Sequence, residues 1–247
     1  MIVSLQPDCH WDSRRKTVMI NGLCMRGITD LLRCTFYPLY TYKNATNGPI
    51  ACAHRRNKPG GSRGKALGNR VDRELVYYCK NRRLPTYCTS ETTLLVKYLQ
   101  ESNLELIACQ FPVADEMTKI CTNIDVIVQQ PDGVYLLLEI KTGYDTYKRR
   151  YANYMASPFE LLNDCPLHQH HLQLLVTSLL FRRSFPHIIF KACVWYLYPS
   201  EILQHPLLED VEKHATGLFK KLEESKQISR KQRRKGRKRT RDEFETT

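Results

Sequence analysis

The segment 121–143, CTNIDVIVQQPDGVYLLLEIKTG, constrains this chain more than any other. Two runs rich in Val, Ile and Leu are separated by Pro131-Asp132-Gly133, which predicts two strands joined by a tight turn. The first strand carries Asp125 and the second ends in Glu139-Ile140-Lys141. Strand alternation sets Glu139 and Lys141 on one face and points Ile140 the other way, into the packed side. Leu136, Leu137 and Leu138 make the second strand apolar on both faces, so it is expected to be central in its sheet. A carboxylate and an ammonium on such a strand are costly to bury unless they pair or hold a metal.

Two carboxylates converging from adjacent strands offer the oxygen ligands that Mg²⁺ or Mn²⁺ takes, an arrangement used in phosphodiester hydrolysis. Lys141 then stands where it can act on the attacking water or on the oxygens of the transition state. An isolated Glu-x-Lys triplet is more often a solvated surface pattern; its place on an apolar strand behind an Asp-bearing strand is what gives it weight. This series, Asp125, a short spacer, then Glu139-x-Lys141, resembles the motif of the PD-(D/E)XK nuclease superfamily.

A length of 247 residues suits one domain with appendages, able to build a core without disulfides or structural metal. There is no apolar leader and no run of membrane-span length, which predicts a soluble, unsecreted chain with no membrane partner. Ten cysteines without a C-x-x-C pair favour reduced thiols in a cytosolic or nuclear compartment, and make Asn44-Ala45-Thr46 an idle glycosylation match. Of the net charge of +13, ten basic residues and no acidic one fall between Lys226 and Arg241. A basic body with a basic tail predicts a polyanionic partner. The tail, 226–247, reads as disordered, and as serving phosphate contact and nuclear import through an import receptor.

Ahead of the hairpin, 49–63 (PIACAHRRNKPGGSR) reads as a flexible basic loop. GKALGNRVDRELVYYCKN follows with helical spacing, Leu67, Val71, Leu75 and Tyr78 forming its stripe. TSETTLLVKYLQES reads as a second helix capped by Ser90 or Thr89, LELIACQFPV as a strand, and His187–Tyr198 as another strand after a helix that begins near Leu167. The expected layout is an N-terminal lid or DNA entrance (1–60, including Arg26 and Arg33), a catalytic core (61–200), a C-terminal helical segment (201–225, its helix from about 207) and the tail. The order helix, three strands, helix, strand matches the αβββαβ restriction-endonuclease-like core of the superfamily, a mixed central sheet flanked by helices.

In the branch with lambda exonuclease, RecB nuclease domains and CRISPR-associated exonucleases, the first helix brings a further side chain to the metal. Gly64, Gly68 and Asp72 fall at i, i+4 and i+8, close to one face, whereas Glu74 is about 200° from Asp72, so only one acid can face the hairpin. Gly68-x-x-x-Asp72 resembles the RecB-like Gly-x-x-x-His with Asp in place of His; Glu74 resembles the helix glutamate of the lambda-exonuclease branch. We favour Glu74, because Val71, Leu75 and Tyr78 lie on its general side. Gln173-Leu174 resembles the Gln-Leu-x-x-Tyr element, departing from it in having Thr177 at the Tyr position, after Val176, and Gln169 lies one turn earlier on the same face. Cys165 with His168, His170 and His171 offers half a zinc site and no second half, and no iron–sulfur spacing is recognisable.

The resemblance implies a metal-dependent DNase in which Asp125, Glu139 and the Ile140 carbonyl bind Mg²⁺ or Mn²⁺. Lys141 assists the water, Glu74 or Asp72 completes the shell and Gln173 positions substrate. It implies a nuclear exonuclease acting on single- or double-stranded DNA ends in viral or mobile-element replication or recombination. The rivals are an endonuclease or junction resolvase, and an inactive nucleic-acid-binding protein on the same scaffold. The intact Asp, Glu and Lys set speaks against the last.

Overall fold

The computed structural model describes residues 9–12, 17–37, 61–143 and 154–213, together with Leu218. The Asn44 match, the basic loop up to residue 60, most of the expected C-terminal helix and the basic tail lie outside the described residues. The elements run β1 (Cys9–Asp12), β2 (Thr17–Ile20), β3 (Leu23–Gly27), α1 (Ile28–Phe36), α2 (Gly61–Asn81), α3 (Ser90–Glu101), β4 (Glu105–Asp115), β5 (Ile120–Gln129), β6 (Tyr135–Thr142), α4 (Pro166–Ser184), β7 (Phe190–Leu197), β8 (Ile202–Pro206) and the single turn α5 (Glu209–Glu212).

All eight strands join one mixed sheet in the order β1-β2-β3-β5-β6-β7-β8, with β4 on the other edge of β5. The hairpin forms as its turn chemistry predicts: Gly133 takes a left-handed φ of +84° and the Asp132 carboxylate accepts from the Val134 N–H at 3.0 Å. β6 is central, antiparallel to β5 and parallel to β7, as its two-sided apolar sequence requires. Its side chains alternate between two cores. Leu138 and Ile140 pack with Val71 and Leu75 of α2 and Leu95 and Leu99 of α3, while Leu137 packs with Ile28 and Leu31 of α1 and Leu172 and Val176 of α4. The sheet therefore carries α2 and α3 on one face and α1 and α4 on the other.

Several expectations need correction. In the region before residue 60 the strands β1, β2 and β3 are built into the sheet, β3 running parallel to β5 through Arg26↔Ile120 and Gly27↔Cys121, and α1 packs on its face. Strands of four or five residues carry too little periodicity to announce themselves. Residues 61–63 of the expected loop belong to the first turn of α2, and within 201–225 the chain first makes an edge strand, β8, before the short α5. Of the two caps expected for α3, Thr89 is the one used, its side chain accepting from the Thr92 N–H. Among the described residues no helix is long and apolar enough to cross a membrane.

Candidate active site

The paired ladder between β5 and β6 ends at Val126↔Leu138, and the strands separate toward Asp125 and Glu139. The Asp125 carboxylate takes up the next ladder donor: its Oδ2 accepts from the Ile140 N–H at 2.9 Å, which anchors the side chain in the opening. Its Oδ1 accepts from the Gln110 side-chain amide at 3.2 Å. Glu139, 1% exposed, accepts on Oε1 from the Lys141 ammonium and from the Gln173 amide, the latter at 2.6 Å. Glu139 and Lys141 thus share a face, and Ile140 is buried among the residues of the opposite core.

α2 comes unusually near the end of β6. A Cβ on Gly68 would stand 3.3 Å from Thr142 Oγ1, and one on Gly143, which holds φ +68°, would stand 3.1 Å from the Gly64 Cα. One turn beyond Gly68 the same face carries Asp72 to the opening, where it feels the charges of both Asp125 and Lys141. Burial first, then repulsion from Asp125, pushes the Asp72 carboxyl up to about 6 against the pull of Lys141. The same two effects push Glu139 up to about 8, and burial raises Asp125.

Glu74, the helix acid favoured from sequence, is not at this site. Its Oε2 accepts from the Thr89 hydroxyl at 2.6 Å and the Thr89 N–H at 3.0 Å, and its Oε1 takes the Arg70 guanidinium at 2.8 Å. Burial alone would raise its pKa; the Thr89 bonds, with those of Thr92 and Arg70, hold it down at about 2. The apolar stripe of α2 has an acid on each margin, so proximity to Val71 and Leu75 does not distinguish them. What decides is the N-terminus of α3, which supplies Glu74 with donors.

On α4, Gln173 reaches Glu139 as expected, while Gln169 turns to the buried Asp164 at 2.6 Å. Thr177 bonds back to the Gln173 carbonyl at 2.9 Å. His170, buried, meets the Tyr196 hydroxyl at 2.9 Å; burial and the nearby Lys141 charge hold its imidazole well below its ordinary pKa. Among the described residues no three His, Cys, Asp or Glu side chains are gathered as a ready metal cage, the Cys165 and His168–His171 stretch included. Arg33 is exposed on α1 and Arg26 half-buried at the end of β3.

Sequence reasoning missed Gln110 and Asp164. Gln110 lies opposite Asp125 in the β4–β5 register and holds φ +51°, rare for a strand residue with a side chain. Only the register reveals it. Asp164 precedes α4 in a stretch that reads as a turn, with no pattern to mark it as 2% exposed.

No known protein family matches this sequence, and no curated protein does. Among solved structures, the chain is similar to the one described as the crystal structure of SSO0001, with a TM-score of 0.38 and 16% identity over 83% of this chain and 76% of that one.

Proposed function

We propose that this protein is a divalent-metal-dependent deoxyribonuclease with a restriction-endonuclease-like core, acting on DNA ends. The observation that carries the reading is the placement of Asp125 of β5 and Glu139 of β6 at the strand opening beside the Lys141 ammonium, with Asp72 of α2 near enough to feel the charges of Asp125 and Lys141. The sequence α2, α3, β4, β5, β6, α4, β7 supports the fold reading, since it contains the helix, three strands, helix and strand of that core.

The chemistry of the donors suits Mg²⁺ or Mn²⁺, and binding would draw together side chains that, among the described residues, do not already form a cage. The three carboxylates are hard oxygen donors; burial holds all three above their ordinary pKa, and the charge of Asp125 pushes Asp72 and Glu139 further up, a repulsion that a divalent cation would relieve. Asp72, Asp125 and Glu139 would hold the ion together with the Ile140 carbonyl. When bound it would supply neutralisation of the charge that develops on a phosphodiester. Gln173 and Lys141 fix the Glu139 carboxylate from two sides, and the Ile140 N–H and Gln110 fix Asp125, so these two carboxylates are held in place. Lys141, 16% exposed and tethered through Glu139, would set its positive charge against a scissile phosphate bound at this opening. Its proton-rich ammonium stabilises the oxygens as their charge grows.

The test is incubation with linear DNA labelled at either end and with closed-circular DNA, with Mg²⁺, Mn²⁺ or EDTA. Metal-dependent loss of label from linear DNA with circles spared is the expected result; nicked circles would indicate an endonuclease, and no cleavage in any arm would overturn the reading. Deleting 226–247 is expected to lower DNA affinity, its salt dependence and nuclear accumulation.

A further inference from the structure

The inward face of α2 carries Gly64, Gly68 and Asp72 to the site, and its outward face is built for something else. On a helical projection, Lys65, Asn69, Lys80, Arg73, Tyr77 and Arg70 fall in that order within an arc of about 140°, and all six are exposed. The acids of the helix, Asp72 and Glu74, lie just outside the two ends of this arc and turn inward. Among the described residues Lys65, Arg73 and Lys80 have no acidic partner, whereas Arg70 is committed to Glu74. Three unneutralised cations therefore line a path about 22 Å long that borders the helix edge bearing Asp72. A solvated helix face usually alternates its charges; this one does not.

Aromatic side chains accompany the cations. Tyr77, 36% exposed, lies within the arc, and the backbone of Tyr87, whose residue is 85% exposed, is held at the arc's margin, its carbonyl accepting from the Arg70 guanidinium at 3.5 Å. Leaving a tyrosine so open to water has no packing reason. Cations interleaved with open aromatic rings recognise unpaired bases: phosphates meet the charges and each base offers a face to stack. A duplex presents phosphates but keeps its base faces covered.

We infer that the outward face of α2, with Tyr87, is the surface on which an unpaired DNA strand lies as it approaches the Asp72 edge of the site. This rests on the nuclease reading for its direction, and its test is separable because binding is measured without cleavage. Full-length protein is titrated in EDTA with a labelled 20-nucleotide single strand and with the matching duplex, at several salt concentrations. Tyr77→Ala/Tyr87→Ala is expected to weaken single-strand binding roughly tenfold or more while leaving duplex binding within about twofold, and Tyr77→Phe/Tyr87→Phe to retain wild-type affinity. Lys65→Ala/Arg73→Ala/Lys80→Ala is expected to weaken both and to reduce the single-strand salt slope by about 2. Equal losses on strand and duplex from the tyrosine pair, or unchanged single-strand affinity in both alanine variants, would overturn the inference. Failure here leaves metal-dependent cleavage to be judged by its own assay, and failure of cleavage leaves this binding result standing.

Discussion

Asp72 and Glu74 are two residues apart on one helix and have opposite situations. Glu74 is sewn to α3 by the Thr89 hydroxyl and N–H and to its own helix by Arg70, and its carboxyl is held down at about 2. Asp72 has no recorded hydrogen bond among the described residues, sits beside a second carboxylate and is pushed up to about 6. An acid whose oxygens are all engaged by donors supports the fold. An acid held close to like charge with its oxygens left available raises the energy of the empty site and is the one placed to bind a cation. One margin of α2 serves the fold, and the other is the one proposed to serve the chemistry.

The largest expected effect separates the two margins by activity. Asp72→Ala should lower the rate of DNA cleavage by orders of magnitude while leaving the melting temperature unchanged or higher, since it removes a repelled carboxylate. Lys141→Ala should match it in rate loss if, as proposed, its charge acts on the transition state. A variant of either kind that cleaves at the wild-type rate breaks the assignment.

Glu74→Ala should do the reverse, costing about 2–4 kcal/mol of stability by leaving Thr89 and Arg70 without their acceptor, with cleavage at low temperature within a few-fold of wild type. Chemical denaturation beside an activity assay checks both halves. A stable but inactive protein would move Glu74 to the site.

Gly143→Ala sharpens the comparison through the backbone. The left-handed φ and the 3.1 Å approach to Gly64 should cost about 1–2 kcal/mol and shift α2, and Asp72 with it, away from β6. Activity should fall severalfold and more than in Glu74→Ala. Wild-type rate and stability would show that the close approach is not needed.

The smallest effect is on stability against pH. The folded-state pKa values of Asp72 and Glu139 are raised, so the metal-free folded state keeps protons that the unfolded chain has released. Stability should decline from about pH 4 to 6 through Asp72 and on to about pH 8 through Glu139. Asp72→Asn/Glu139→Gln should flatten that decline in a melting series, and Glu74→Gln should not.

How much of this was written in the sequence depends on what kind of signal carried it. The hairpin was legible because period-two alternation, a Pro-Asp-Gly turn and the Glu-x-Lys rim act over short range. The shared face of Gly64, Gly68 and Asp72 was legible from helical spacing. The choice between Asp72 and Glu74 was not, because it depends on where the N-terminus of α3 docks against the far margin of α2. Gln110 was hidden for the same reason: its bond to Asp125 exists only in the β4–β5 register. The strands before α1 and β8 were missed because elements of four or five residues depend on the sheet they join.

The most direct measurement is calorimetric titration of Mn²⁺ into the wild type, Asp72→Asn and Glu74→Gln at pH 8, where Asp72 is ionised and Glu139 is about half ionised. The account predicts one measurable site in the wild type, affinity reduced at least about tenfold in Asp72→Asn, and wild-type affinity in Glu74→Gln. Equal affinities in all three proteins, or a loss confined to Glu74→Gln, would contradict it.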